Sequence, residues 1–445
     1  MSQTTGAVAK MTKFRWVVLG LIFLIYTVAT ADRANLGIAL PYIRKEFVMT
    51  NTEAGGFISL FFLGYALAML PGGYLCEKLG VRRVFSIFMV LLSVFTGLIG
   101  FAGSIFQLKA CRLAVGLTEG PMAVGMPTTI NNWFPAKEKG LATGIFIASS
   151  KFGPLVVPLI CALIIQQWGW REIFFIFAVP GIILGLVWYF VVANQPSKSP
   201  FCSLAEAQYI ANDVVVNNQK TVEVKQYKLW WLDKIIRAKK IDRLDTNAKL
   251  FLSWNMVGSA LGYFFMVAIT TTMMTWIPTY LVTVKKFAIM KMAFASSAPF
   301  AGTVLGNMIG GWLSDNVFGK RRKPLMLVTA LATSIAMYSL KYSPEDPYLL
   351  GGLLFVSGLI LSLGFSGFTV YPMGLATKEK FPIATSITNT LGQLGGFCAP
   401  LAIGMILDKY NWDMVFTALA GGCIICFLIV LTLVEPVDEP VVRGK

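Results

Sequence analysis

The sequence predicts an all-α membrane protein of about twelve transmembrane helices, built as two six-helix bundles related by pseudo-two-fold symmetry, with both termini cytoplasmic. Three observations predict it: hydrophobic stretches recur along the whole length, cations concentrate in alternate loops, and one loop motif occurs twice.

The 445 residues are 56% hydrophobic and 13% charged, with a mean hydropathy of +0.68. Soluble domains carry roughly 25% charged residues, so water is not the solvent for most of this surface. Stretches long enough to cross a ~30 Å hydrocarbon core as helices read at 15–39, 54–76, 84–104, 107–131, 140–165, 172–193, 250–283, 292–314, 324–341, 348–372, 382–407 and 413–434. The first carries Asp32 and Arg33 and no small-residue cleavage site, so it reads as an uncleaved first helix and not a signal peptide.

A net charge of +16 suggests a nucleic-acid partner only until its distribution is read. Lys10, Lys13 and Arg15, then Lys78, Arg82 and Arg83, then Lys137 and Lys139 fall in alternate loops; Lys320 to Lys323, Lys378 and Lys380 continue the pattern. This is the positive-inside distribution and sets both termini in the cytoplasm. The charge is topological, and the expected partners are membrane lipid and a small solute, with no nucleic acid and a monomeric protein. Six of the seven cysteines fall inside spans. Cys423 and Cys426 form a C-x-x-C, but on an apolar helix of a chain without histidine they read as packing, with no metal or redox site.

The spans divide six and six. Residues 1–193 form the first bundle, 194–249 a polar linker, and 250–445 the second bundle. Within the linker Leu229, Trp230, Trp231, Leu232, Ile235 and Ile236 interleave with Lys228, Lys234, Arg237, Lys239 and Lys240. That pattern fits an amphipathic helix in the cytoplasmic interface, or a partner-binding linker. After span two comes Gly73, then Glu77, Gly80, Arg82 and Arg83; after span eight comes Gly311, then Asp315, Gly319, Arg321 and Arg322. A duplicated gating loop at matching positions of two halves is expected of a transporter with parallel repeats. The acid can cap a helix start or pair with the arginines.

This loop resembles the signature loop of the major facilitator superfamily, with Glu77 standing where the family usually has aspartate. Asp32-Arg33-Ala34-Asn35-Leu36, Arg112 with Glu119, and Asn131-Asn132-Trp133-Phe134-Pro135 narrow the resemblance to the anion:cation symporter family. That family includes bacterial galactonate, glucarate and hexuronate carriers and the sialin-type carriers of animals. The resemblance implies a multi-pass protein of the bacterial inner membrane that needs no cofactor and couples uptake of a small organic anion, such as a sugar acid, to protons.

Ionisable residues inside a membrane are costly and mark function. Asp32 and Glu119 are the deep acids, and Arg33, Arg112 and Lys151 the deep cations, all in the first half. Glu119 follows Arg112 by seven residues, two turns along one helix face. Without histidine, any proton coupling falls to Asp32 and Glu119, the acids that carry protonation in the family; the alternative is that they neutralise Arg33 and Arg112. Arg33 and Lys151 are the candidate anion anchors, since arginine grips a carboxylate with two parallel bonds. Lys151 could instead pair with an acid. By resemblance, Tyr65 and Asn389 fall at family substrate contacts, and Ser150 stands where galactonate-type carriers have glutamine. Gln393, Tyr371 and Trp276 are further candidates, with Ser366, Thr369 and Thr270 to Thr272 behind them. A proton-independent anion exchanger and a transporter-like anion sensor are the rival readings. An enzyme is not expected: the two deep acids have cationic neighbours and no nucleophile.

Overall fold

The computed structural model describes residues 11–216 and 230–437. Six long helices form the first run: α1 (Phe14–Phe47), α2 (Asn51–Leu79), α3 (Val81–Phe101), α4 (Ile105–Trp133), α5 (Ala136–Gln167) and α6 (Trp170–Val191). The linker contributes α7 (Leu204–Val216), α8 (Trp230–Ile235), strand β1 (Ala238–Lys239) and α9 (Asn247–Leu252). The second run comprises α10 (Trp254–Thr275), α11 (Ile277–Thr283), α12 (Ile289–Trp312), α13 (Lys323–Ser339), α14 (Pro347–Leu363), α15 (Phe365–Leu375), α16 (Phe381–Lys409) and α17 (Trp412–Thr432), and ends in strand β2 (Glu435–Pro436).

Lipid offers no partner to a bare peptide group, so apolar segments satisfy their own backbone as helices. Among the described residues, ten helical segments are long and apolar enough to cross a membrane. α4 and α12 add two of spanning length, 29 and 24 residues; α4 is less apolar because it carries Lys109, Arg112 and Glu119. Ten and two make the expected twelve, with α10–α11 and α14–α15 each a single span interrupted, at Trp276 and Gly364. Ile87, Leu91, Val94 and Leu98 form an exposed apolar stripe on α3, and Ile176, Val179, Ile183, Leu186 and Phe190 another on α6. Contiguous apolar faces of this kind belong against lipid.

Packing divides the chain into two compact units. One comprises Met1–Asp32, Gly64–Gly153 and Arg171–Glu223; the other comprises Arg33–Leu63, Pro154–Trp170 and Val224–Lys445. The division cuts α1, α2 and α5, whose ends opposite the basic loops (the outer ends) belong to the second unit. There Gly37 of α1 lies against the backbone of Met274 and Thr275, leaving no room for a side chain. Ser59 of α2 donates to the Phe397 carbonyl of α16 at 2.6 Å, and the Trp170 indole donates to Glu46 at 2.7 Å.

In the first unit, α7 is tied to the start of α1. The buried Glu206 carboxylate accepts from Thr12 Oγ1 (2.6 Å), Phe14 N (2.9 Å) and Arg15 Nη1 (2.8 Å). Arg15 also bonds Glu138 of α5 through Nε at 2.7 Å.

The second unit contains a small-residue seam. Gly302, Gly306 and Gly310 of α12 meet the carbonyls of Phe355, Leu359 and Leu363 on α14, with Gly358 against Pro299 in return. Glycine at every fourth position lets two helices touch backbone to backbone, which is how helices associate where no hydrophobic drive exists.

At its basic end, this unit is closed by a ring of polar contacts. β1 and β2 pair in parallel, Ala238 with Glu435 and Lys239 with Pro436. The Glu435 carboxylate accepts from the N–H groups of Arg322 and Lys323 at the start of α13, at 2.9 and 2.8 Å. Buried Lys323 donates to the carbonyls of Ile236 (2.9 Å), Leu431 (3.0 Å) and Leu433 (2.5 Å). Asp233 of α8 takes the Arg321 guanidinium in a two-pronged ion pair. Leu232, Asp233 and Ile236 are therefore buried, so this stretch of the linker docks on protein. Lys228 and Leu229 lie outside the described residues, as do the side chains of Trp230, Trp231 and Ile235.

Candidate functional site

The first unit gathers most of the deep ionisable residues. Asp32 on α1 is buried, and its Oδ2 accepts from Thr96 of α3 at 2.7 Å. Arg112 of α4 is also buried and donates through Nη1 to the Asp32 backbone carbonyl at 3.2 Å. Glu119, two turns further along α4, is fully buried. Beside it Gly120 lies against the Tyr65 carbonyl of α2, and Tyr65 is itself buried. Gly153 of α5 lies against the Thr27 carbonyl and Thr30 hydroxyl of α1, which brings Ser150 and Lys151 to the helix that bears Asp32. The Ser150 hydroxyl donates back to the Ile147 carbonyl at 2.7 Å. Thus Asp32, Arg112, Glu119, Tyr65, Ser150 and Lys151 share one compact unit. Thr96 was not among the sequence candidates, because one threonine in an apolar span carries no periodic signal.

The remaining candidates lie in the second unit. Half-buried Arg33 sits over the Phe61 ring at 5.0 Å, a cation–π contact. Asn389 is half-buried on α16, and one turn later Gln393 Oε1 is buried with no hydrogen-bond partner. A buried amide oxygen without a donor is an acceptor waiting for one. Trp276 is fully buried at the outer end of α10, stacked edge-on with Trp412 at 6.3 Å. The Tyr371 hydroxyl is already committed to the Val434 carbonyl at 2.6 Å, within the polar ring at the basic end. Of the weaker candidates, Thr270 and Thr272 bond carbonyls of their own helix, and Thr369 does the same with Ser366.

The two copies of the loop motif differ in use. In the first, Gly80 turns the chain with a positive φ of 79°. Arg82 secures the start of α3 to the end of α6, donating from its N–H to Asn194 Oδ1 (2.8 Å) and from Nε to the Tyr189 carbonyl (2.6 Å). Glu77 and Arg83 are not in that fastening, and Glu77 is exposed. Gly73 stands in ordinary contact with Val124. In the second copy, Asp315 pairs with Arg322 at 3.1 Å. The Asn131-to-Pro135 motif is a structural fastener too: the Trp133 indole donates to the Ala193 carbonyl at 3.0 Å.

The profile of the Major Facilitator Superfamily matches residues 22–397 and 290–445. The chain belongs to that superfamily. Among full-length relatives is the probable galactarate/D-glucarate transporter GudP of Escherichia coli, 26% identical over 100% of this chain and 99% of its own. The D-galactonate transporter of Escherichia coli is 26% identical over 97% and 98%. The probable sulfoacetate transporter SauU of Cupriavidus necator is 26% identical over 96% of each chain. The major facilitator fold is matched by the crystal structure of a D-xylose-proton symporter, with TM-score 0.71 and 17% identity over 95% of this chain and 98% of that one. A bacterial homologue of the human lysosomal transporter Spinster matches with TM-score 0.73 and 15% identity over 94% and 96%. The repeated loops, read from sequence as the superfamily's signature, therefore stand in a major facilitator transporter, a multi-pass membrane protein and not an enzyme.

One further contact, absent from the sequence candidates, lies at the outer end. Asp408, at the end of α16, accepts from Asn51 N (2.9 Å), Asn51 Nδ2 (2.8 Å), Thr52 N (2.8 Å) and Thr52 Oγ1 (2.5 Å). Glu53 N is taken by Thr50 Oγ1, Thr50 N by Glu53 in return, and Ala54 N by the Thr50 carbonyl. The first N–H groups of a helix have no partner within it; here α2 finds two of them on α16. Thr50 and Glu53 form a capping box at the start of α2, while the aspartate that takes the next N–H groups lies 357 residues away.

Proposed function

We propose that the protein carries a small organic anion, a sugar acid or other carboxylate, into the cell together with protons, by alternating access of two six-helix halves (1–193 and 250–445, joined by the 194–249 linker). The observation that carries this reading is the buried group formed by Asp32, Thr96 and Arg112, with Glu119 on the same helix as Arg112. Carboxylates held in a dry environment among cations have protonation states that depend on access to water. Asp32 and Glu119 take up protons from outside, which frees Arg33 and Lys151 to engage the anion. On the inner side proton loss restores the charge pairing and releases it. Asn389 and Gln393 grip the hydroxylated remainder, and Gln393 already presents an unsatisfied acceptor. The likeness to full-length relatives that are probable galactarate/D-glucarate and sulfoacetate transporters and a D-galactonate transporter supports an anionic substrate. The protein acts as a monomer in a bacterial inner membrane.

The test is uptake of D-galactonate, D-glucarate and sulfoacetate into proteoliposomes under an inward pH gradient. Gradient-driven accumulation is expected, and the double variant Asp32→Asn, Glu119→Gln loses it while retaining counterflow. Accumulation that survives in the double variant rules out these carboxylates as the proton carriers. Counterflow that requires internal anion and ignores pH assigns exchange instead.

A further inference from the structure

A set of unsatisfied donors lies at the outer end of the second unit. A pocket of about 210 Å³ opens there, lined among others by Arg44 of α1, Asn51 of α2, Thr279 of α11, and Tyr410, Asn411 and Trp412 around the start of α17. No carboxylate lines it. Its volume leaves room for a small polar solute.

Most polar groups of the wall are already used. The Asn51 amide donates to Asp408, Asn411 Oδ1 accepts from Met414 N, and the Thr283 hydroxyl donates to the Thr279 carbonyl. Two buried groups of the wall are not used: Arg44 Nε and Thr279 Oγ1 have no hydrogen-bond partner. The Trp276 ring lies 6.0 Å from the Arg44 guanidinium, and its indole N–H is also without an acceptor. Buried donors left unmade are expensive. One positive and one neutral donor on residues that line a pocket with no carboxylate in its lining fit an anion. The planar guanidinium matches the two oxygens of a carboxylate.

We propose that this pocket binds a small carboxylate on the outer face, held by Arg44 and Thr279, separately from the Arg33 and Lys151 site. It lies beside the α2–α16 contact made by Asp408, whose charge acts on Arg44. An anion arriving from outside draws Arg44 toward itself and away from Asp408. The site is thus a station for the anion at the outer gate. That the bound anion is the transported one rests on the preceding reading; the site itself does not.

Phenylglyoxal modification of arginines in the reconstituted protein, followed peptide by peptide by mass spectrometry, tests it. D-Glucarate and acetate are the probes, with inorganic phosphate as the comparison anion. Protection of Arg44 should follow 1 + [L]/Kd, about tenfold slower modification at nine times Kd. It should persist in Arg33→Gln and fall in Thr279→Val, with equal protein recovery in both variants. Equal modification of Arg44 with and without carboxylate, or protection by phosphate alone, overturns the proposal. Protection that disappears in Arg33→Gln while Thr279→Val is unchanged also overturns it, because Arg44 then reports on the other site. Failure of gradient-driven uptake leaves this readout untouched, so the two readings fail separately.

Discussion

Asp32 illustrates how one buried residue joins three helices. Its side chain accepts from Thr96 of α3 and its backbone from Arg112 of α4. A hydrogen bond to an ionised group contributes roughly 1.5–3 kcal/mol, and 1.4 kcal/mol is about tenfold in rate or equilibrium. Thr96→Val keeps the shape and removes the donor. Initial rates of gradient-driven uptake should fall about tenfold, while Thr96→Ser stays near the parent; both are read at equal reconstituted protein. The charged residues were legible in the sequence because a charge in an apolar run is conspicuous at any position. Thr96 was not, because a hydroxyl in a span ordinarily bonds its own helix, as Thr118 does to the Ala114 carbonyl. Tyr371 shows what residue type alone leaves open: it suits a binding pocket, but a sequence cannot say that its hydroxyl faces the Val434 carbonyl.

Between elements, the linker is organised by ion pairs that hydropathy does not register. α7 is fixed through Glu206 to α1, and α8 through Asp233 to the start of α13. Burial alone would raise the Glu206 carboxyl. Hydrogen bonds from Thr12, Arg15 and the N–H groups of Phe14 and Arg15 outweigh it and hold the group below its ordinary value. A depressed carboxylate stabilises the fold above its unfolded-state pKa, and that contribution is lost as pH falls through the lower, folded-state value. Glu206→Gln should therefore destabilise the detergent-solubilised protein at pH 7, on the order of 2 kcal/mol. The gap in melting temperature between parent and variant should close as the pH drops below about 4. The spans themselves were legible to within four residues at every end except that of α1, which runs to Phe47 and not to 39, since length and hydropathy are local properties. The breaks at Trp276 and Gly364 fall inside apolar runs, where only Pro278 and the glycine itself mark them.

For the molecule as a whole, the decisive contacts join residues that are distant in sequence. Asp408 supplies two of the hydrogen-bond acceptors that the first turn of α2 lacks. In Asp408→Ala, hydrogen–deuterium exchange at the amides of Asn51 and Thr52 should rise by about tenfold. Glu53 and Ala54, bonded to Thr50, are the internal control. Unchanged exchange at Asn51 would show that α2 is held by other means. The ring at the basic end of the second unit carries a consequence for how the chain is made. β1 leaves the ribosome before the second set of spans, and β2 after it. At ~5–20 residues per second, Ala238 waits roughly 10–40 s for Glu435 to emerge. During that interval Lys323 has been synthesised without the Leu431 and Leu433 carbonyls, and the start of α13 without the Glu435 carboxylate. The ring therefore cannot close until the residues that follow α17 have been made.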